Sequence, residues 1–168
     1  MSGINVTINN KSYTATEGKT ILEVCKEVGI NIPTLCYHPD LEPGGVCNMC
    51  VVEVRGEAEL VKSCEVEIKE GMVIKTETDK IVAARKERLN ELLETHPNDC
   101  LTCFRVGGDC ELQNLAYYYD VNPKERKVYG RGLDISSHAI VRDMDKCIGC
   151  ERCVRVCDDV QGIGVYEK

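Results

Sequence analysis

Tryptophan is missing from this sequence, and phenylalanine occurs once, which leaves seven tyrosines as nearly all of the aromatic content. With 168 residues the chain can form one ordinary domain or two to three small ones, and with so few large apolar groups its core is thin. No apolar run reaches membrane-spanning length, which argues against a direct membrane span. The opening residues, MSGINVTINN, hold neither a basic segment nor an apolar stretch, so no secretory signal is visible. That points to the cytoplasm, where disulfides are rare. A basic excess is also missing. Lys and Arg number 21 against 28 Asp and Glu, a net charge of −7, which argues against nucleic acid as a partner. The glycines of KVYGRG (Gly130, Gly132) and QGIGVYE are too sparse and wrongly placed to cradle a pyrophosphate. No nucleophile–base pair is apparent, so the chain by itself reads as non-catalytic.

What the sequence does have is cysteine, twelve of them. In a reducing compartment they point to metal, and metal binding supplies folding free energy that a thin core lacks.

Local patterns set these cysteines in an α+β frame. INVTI (4–8) alternates as a strand, NNK turns, and SYTAT returns as a second strand. Thr20 and Glu23 form a capping-box pattern ahead of ILEVCKEVG, and Gly29 is placed to close that helix. CVVEV (50–54), AELVKSC (58–64) and MVIKTET (72–78) read as further strands. Residues 1–78 thus form a small α+β domain with a cysteine loop between helix and strand. From Asp79 the period changes. Apolar residues at 81, 82, 89, 92 and 93 predict one amphipathic helix ending before Pro97. CELQNLAYYY (110–119) reads as a short second helix. Residues 121–138 read as a polar linker, and AIVRDMDKC as a short strand entering the last cysteine run. The domains expected are 1–78, 79–120 and 121–168.

The cysteines fall into three groups. Cys36, Cys47, Cys50 and Cys64 are spaced C-x10-C-x2-C-x13-C. Plant-type [2Fe–2S] ferredoxins use a related plan with a tighter first gap. Pro39, Pro43, Gly44 and Gly45 let the wider gap wrap close and aim backbone N–H groups at sulfur. A four-cysteine structural zinc site is the competing reading. His38, inside the loop, reads as a surface histidine. The second group is HPNDCLTCFRVGGDC, with Cys100, Cys103, Cys110 and, at its head, His96. Imidazole can replace thiolate on an iron–sulfur cluster. His96 also fits as a histidine interacting with a helix C-terminus, and a zinc site with three cysteines and one histidine fits the same spacing. The third group, CIGCERCVRVC, holds Cys147, Cys150, Cys153 and Cys157 in the bacterial ferredoxin run C-x2-C-x2-C-x3-C. Asp158 replaces the usual proline. In two-cluster ferredoxins the fourth cysteine of a run serves the other cluster, and no second run follows here, so the role of Cys157 is left open. Cys25 reads as a core residue of its helix.

In this order the motifs resemble the N-terminal iron–sulfur region of the large iron–sulfur subunit of respiratory complex I. The same region occurs in NAD-linked iron-only hydrogenases, NAD(P)-dependent formate dehydrogenases and electron-bifurcating relatives. The resemblance covers essentially the whole chain. It implies an N-terminal β-grasp [2Fe–2S] ferredoxin domain, and a small helical domain with a [4Fe–4S] cluster on His96, Cys100, Cys103 and Cys110. It implies a half-ferredoxin segment with a further [4Fe–4S] cluster whose fourth ligand is uncertain. The partners it implies are a flavin- and NAD-binding iron–sulfur subunit and a terminal oxidoreductase subunit of formate dehydrogenase, hydrogenase or bifurcating transhydrogenase type. The chain would then be an electron-transfer subunit. A free-standing ferredoxin-like shuttle and a zinc-binding interaction scaffold are the alternatives. Six residues separate Cys103 from Cys110 where the resemblance predicts five. The larger relatives continue into a second ferredoxin run and a catalytic domain. These 168 residues contain neither, so they read as a truncated protein or a stand-alone subunit. CVRVCDDVQG fits the hydrogenase-like and formate dehydrogenase-like branches better than complex I.

Overall fold

The computed structural model describes residues 3–105, 107–127 and 129–166. Val106, within the six-residue gap after Cys103, and Val128, within KVYGRG, lie outside the described residues. The chain divides into two compact units. One comprises the residues up to Arg85 together with those from Glu151 onward; the other runs from Lys86 to Cys150.

The first unit is a mixed sheet wrapped on a helix, the β-grasp arrangement that the motifs imply. Strands β1 (Gly3–Ile8) and β2 (Lys11–Thr16) pair antiparallel, from Gly3 opposite Thr16 to Ile8 opposite Lys11. Asn9 and Asn10 turn between them with φ of 49° and 67°, the left-handed conformation that a two-residue hairpin needs and asparagine tolerates. Helix α1 (Ile21–Glu27) starts on the predicted capping box, with Thr20 Oγ1 accepting from Glu23 N and the Glu23 carboxylate accepting from Thr20 N. It ends where Gly29, at φ 77°, lets Ile30 N reach Cys25 O. Strands β3 (Val51–Val54), β4 (Val61–Lys62) and β5 (Val73–Lys75) complete the sheet in the order β2-β1-β5-β3-β4. The β1–β5 pair is parallel. Val6, Ile8, Val52 and Ile74 from the sheet and Ile21, Val24 and Cys25 from α1 form one apolar cluster that also includes Cys50 and Cys64. The two candidate ligands are thereby part of the core.

Strands β4 and β5 are shorter than their sequence segments suggested. AELVKSC and MVIKTET are predicted as strands over their whole length. The ladders cover only Val61–Lys62 and Val73–Lys75, and Ser63 and Cys64 leave for the cysteine loop, Ser63 Oγ donating to Cys50 O.

Helix α2 (Asp79–Glu94) carries the stripe Ile81, Arg85, Leu89, Leu92 and Leu93, all buried. Arg85 interrupts an otherwise apolar row and is fully buried. Its Nε donates to Met49 O (3.0 Å), one terminal nitrogen to Val51 O (2.9 Å) and the other to the Glu77 carboxylate (2.9 Å).

In the second unit, helix α3 (Glu111–Tyr118) begins on Cys110, whose Sγ accepts from Gln113 N. The stretch 121–138, expected to be a linker, folds back. Lys127 N donates to Glu94 O, and Arg126 donates to Leu93 O and His96 O (3.2 Å each), which caps the end of α2. Further on, β6 (Leu133–Asp134) pairs with β7 (Arg142–Asp143). In the rest of the first unit, helix α4 (Arg152–Arg155) runs into a π-type turn at Val156–Val160. No helix among the described residues is long and apolar enough to cross a membrane.

Arg85 is a test of how this frame is held. Arg85→Ala leaves Met49 O and Val51 O without their charged donor, and should lower stability by on the order of 3 kcal/mol in chemical denaturation. Arg85→Lys should recover little of it, because a point charge on a flexible stem does not serve both carbonyls as a planar fork does.

Candidate metal centres

The first cysteine group is assembled by three pieces of chain. Cys36 follows α1, Cys47 and Cys50 bracket a turn where Asn48 takes φ 54°, and Cys64 comes from just past β4. All four are buried. Their sulfurs form two pairs, Cys36 Sγ to Cys47 Sγ at 3.3 Å and Cys50 Sγ to Cys64 Sγ at 3.3 Å. Among the described residues no three or more His, Cys, Asp or Glu side chains converge as the shell of a single metal ion. Each pair shares a thiol–thiol hydrogen bond. That bond lowers the Cys47 and Cys50 thiols from the ordinary range and raises those of Cys36 and Cys64. Backbone amides of Val46 and Cys47 reach Cys36, and that of Met49 reaches Cys47, which favours the thiolates.

The loop from Cys36 to Cys47 closes on two glycines for steric reasons. A side chain on Gly45 would collide with the Glu65 carboxylate at 1.7 Å, and one on Gly44 would meet Arg155 Nε at 2.9 Å. Arg155 donates to Cys36 O and to Glu42 O, the latter at 2.5 Å, and Arg152 donates to Tyr37 O at 2.9 Å. His38 is about half exposed, in keeping with a surface histidine, and accepts from Asp40 N.

In the second group, His96, Cys100 and Cys110 line one cavity of about 620 Å³, together with Leu93, Pro97 and Arg126. Cys103 is not part of that lining; a 3₁₀ turn over Cys100–Thr102 carries the chain to it, with Cys103 N donating to Cys100 O. His96 Nδ1 lies 3.0 Å from Pro97 O. A carbonyl only accepts, so Nδ1 carries the proton and Nε2 keeps the lone pair that a metal requires. Lys146 Nζ pairs with Asp99 at 3.0 Å and anchors the turn before Cys100.

The third run is divided. Cys147 and Cys150 belong to the second unit, Cys153 and Cys157 to the first. Cys147 and Cys153 are exposed and Cys150 half-buried. Cys157 is buried within the π-type turn, its sulfur accepting from Val165 N at 3.4 Å. All twelve cysteines are free of disulfides.

The arginines are what the cysteine pattern did not disclose. Arg85 had a visible signal, being four residues from both Ile81 and Leu89 on the buried row of α2. Arg152 and Arg155 sit three apart around Cys153, a spacing that puts both on one helix face. Nothing in the sequence pairs them with carbonyls more than a hundred residues away.

Three family models match the chain. They describe a 2Fe-2S iron-sulfur cluster binding domain over residues 2–79, an NADH-ubiquinone oxidoreductase-G iron-sulfur binding region over 85–124 and a 4Fe-4S binding domain over 140–158. The NADP-reducing hydrogenase subunit HndD of Solidesulfovibrio fructosivorans is 42% identical across 98% of this chain and 29% of its own length. The NADH-ubiquinone oxidoreductase 75 kDa subunit of Reclinomonas americana is 39% identical across 95% of the chain and 23% of its own length. The chain therefore spans less than a third of each of these relatives. Among solved structures, the NAD+-reducing [NiFe]-hydrogenase in its H2-reduced state superposes with a TM-score of 0.86 at 28% identity. That likeness covers 95% of this chain and 68% of that one.

Cys25 separates core from site. It is fully buried in α1, and burial pushes its thiol up from 9.0 to about 11. The folded state holds this proton where the unfolded chain releases it, so the contribution is complete below pH about 9 and lost as pH rises through about 11. Cys25→Ala should flatten the alkaline fall in stability across that window and leave the bound iron per chain unchanged. An equal fall in both proteins, or lost iron, would contradict the assignment.

Proposed function

We propose that this chain, which resembles over nearly its whole length the N-terminal iron–sulfur region of the complex I and NAD-linked hydrogenase family, is an electron-transfer module. It carries single electrons between a flavin- and NAD(P)H-oxidising subunit and a second oxidoreductase centre of hydrogenase, formate dehydrogenase or bifurcating type. The observation that carries this reading is the pairing of four buried sulfurs two by two. A tetrahedral metal with bonds of about 2.3 Å to sulfur sets its two thiolates about 3.8 Å apart. The two 3.3 Å pairs approach that spacing with a small outward shift. Two such pairs suit two metal ions, each with two thiolates, as in a [2Fe–2S] cluster on Cys36 and Cys47 with Cys50 and Cys64. The matched family descriptions, which name both 2Fe-2S and 4Fe-4S binding, point the same way.

When bound, iron–sulfur clusters supply one-electron oxidation and reduction. The chain's own residues bind, space and tune. Cys36, Cys47, Cys50 and Cys64 would serve the first site as thiolates, so binding there would release their protons. Amides directed at the sulfurs offset part of their charge. In the second unit His96, with Nδ1–H held by Pro97 O, offers Nε2 beside Cys100 and Cys110; Cys103 completes the ligand set we assign there. A neutral imidazole in place of one thiolate removes a negative charge, which eases reduction. Cys147, Cys150 and Cys153 are assigned to a further [4Fe–4S] site, whose fourth ligand comes from outside these three. Residues 1–78, 79–120 and 121–168 then correspond to the three cluster-bearing segments of one electron path in the cytoplasm.

The reading is tested on the whole chain after anaerobic reconstitution. We expect a brown protein that takes up single electrons and shows the EPR signal of a reduced two-iron centre. A colourless protein that retains zinc under the same conditions would falsify it. For the second site, His96→Cys should retain a four-iron cluster at a lower midpoint potential, because it adds a thiolate charge. A native spectrum with an unmoved potential would remove His96 from the ligand set.

A further inference from the structure

A loop that turns its amide N–H groups toward sulfur turns its carbonyls elsewhere, and buried carbonyls need donors. In the first unit those donors arrive from distant parts of the chain. Arg85, on α2, serves Met49 and Val51 on either side of Cys50. Arg155, on the helix that carries Cys153, serves Cys36 and Glu42, and Arg152 serves Tyr37. The Arg155 guanidinium is therefore one hydrogen bond from the backbone of a candidate ligand. The loop's carboxylates, Asp40 and Glu42, are acidic, with His38 beside Asp40, and the Glu65 carboxylate stands at Gly45.

We propose that Arg155 is a potential-setting residue of the first cysteine site. Its guanidinium clamps the Cys36–Cys47 loop over the sulfurs and stabilises the more negative, reduced state. The proposal rests on the reading of that site as a two-iron centre. The physical basis is the sign and place of the charge. Reduction adds one electron to a centre already surrounded by thiolates, and a fixed cation bonded to the backbone of Cys36 favours the added charge in a low-dielectric surrounding. The clamp comes from the third cysteine run, so the helix that bears Cys153 and the loop that bears Cys36 are mechanically one piece. The planar fork of arginine holds two carbonyls at once, while the effect on potential comes from its charge, which a lysine ammonium also carries.

The sign of the effect distinguishes this role from simple shielding. Loss of cover alone would let water in, and water stabilises the more charged reduced state, raising the potential. Loss of the cation lowers it. The test is an EPR-monitored redox titration of the reconstituted full chain and its variants. Arg155→Gln should keep the two-iron signal and cut the reduced-to-oxidised ratio at the parent midpoint about tenfold, roughly 59 mV for a one-electron couple. Arg155→Lys, which keeps the charge, should restore most of the shift. Gly44→Ala is an independent perturbation. Gly44 lacks a positive φ, so alanine strains no backbone, yet its methyl would displace a guanidinium whose Nε would lie 2.9 Å and Cζ 3.0 Å away. It should move the potential in the same direction as Arg155→Gln, and it keeps the test open if that variant folds poorly. A potential that stays or rises in Arg155→Gln and Gly44→Ala, with the two-iron signal intact, overturns the proposal. So does Arg155→Lys falling as far as Arg155→Gln. Absence of a two-iron signal in the parent chain instead removes the reading of the site itself, and the proposal with it.

Discussion

The demand that buried carbonyls be satisfied organises this protein more than its apolar core does. Cysteine loops that present N–H groups to sulfur are short of partners for their oxygens, and they are too irregular to find them in a ladder or a helix. Arginine fills the deficit repeatedly. Arg85 holds the carbonyls flanking Cys50, Arg155 that of Cys36, Arg152 that of Tyr37, and Arg126 those of Leu93 and His96. Each of these side chains is remote in sequence from the carbonyls it serves. Each brings a permanent positive charge to backbone near candidate cysteine ligands, so the same side chains that order the loops are placed close to the sites those loops carry.

Much of the fold was legible because it depends on local rules. The Asn9-Asn10 turn, the Thr20–Glu23 capping box, the Gly29 stop and the amphipathic row of α2 stand where their residues predict. Cysteine spacing alone left zinc open beside iron–sulfur for the first two groups; the order of the motifs and the family resemblance pointed to iron–sulfur, and the matched family descriptions name both cluster types. What local rules could not show is long-range satisfaction. The short length of β4 follows from the chain leaving the sheet to reach Cys64. The segment read as a linker caps α2 through Arg126 and Lys127, donating to the last carbonyls, which lack intrahelical partners. Polar composition signals an exposed path but does not say which distant helix end the path will close. The pairing of sulfurs within the first group is likewise invisible in C-x10-C-x2-C-x13-C, where any of three pairings fits the spacing equally.

The first two cysteine groups differ in setting. The first group is built into a packed core, where Cys50 and Cys64 join the apolar cluster around Ile8 and Val24. The second group sits on turns and a helix start, with Cys100 exposed and a capping role given to Cys110. A core-embedded site inherits its geometry from the sheet. A turn-borne site relies on small local devices, here the Nδ1 bond of His96 to Pro97 O and the Lys146–Asp99 pair.

The bond between Arg155 and Cys36 spans 119 residues of chain. A growing polypeptide emerges from its N-terminus at a finite pace. For the whole interval in which residues 37–154 are being made, the loop around Cys36 therefore exists without its clamp. During synthesis that contact is the last around the loop to become possible, because it arrives only with the last cysteine run.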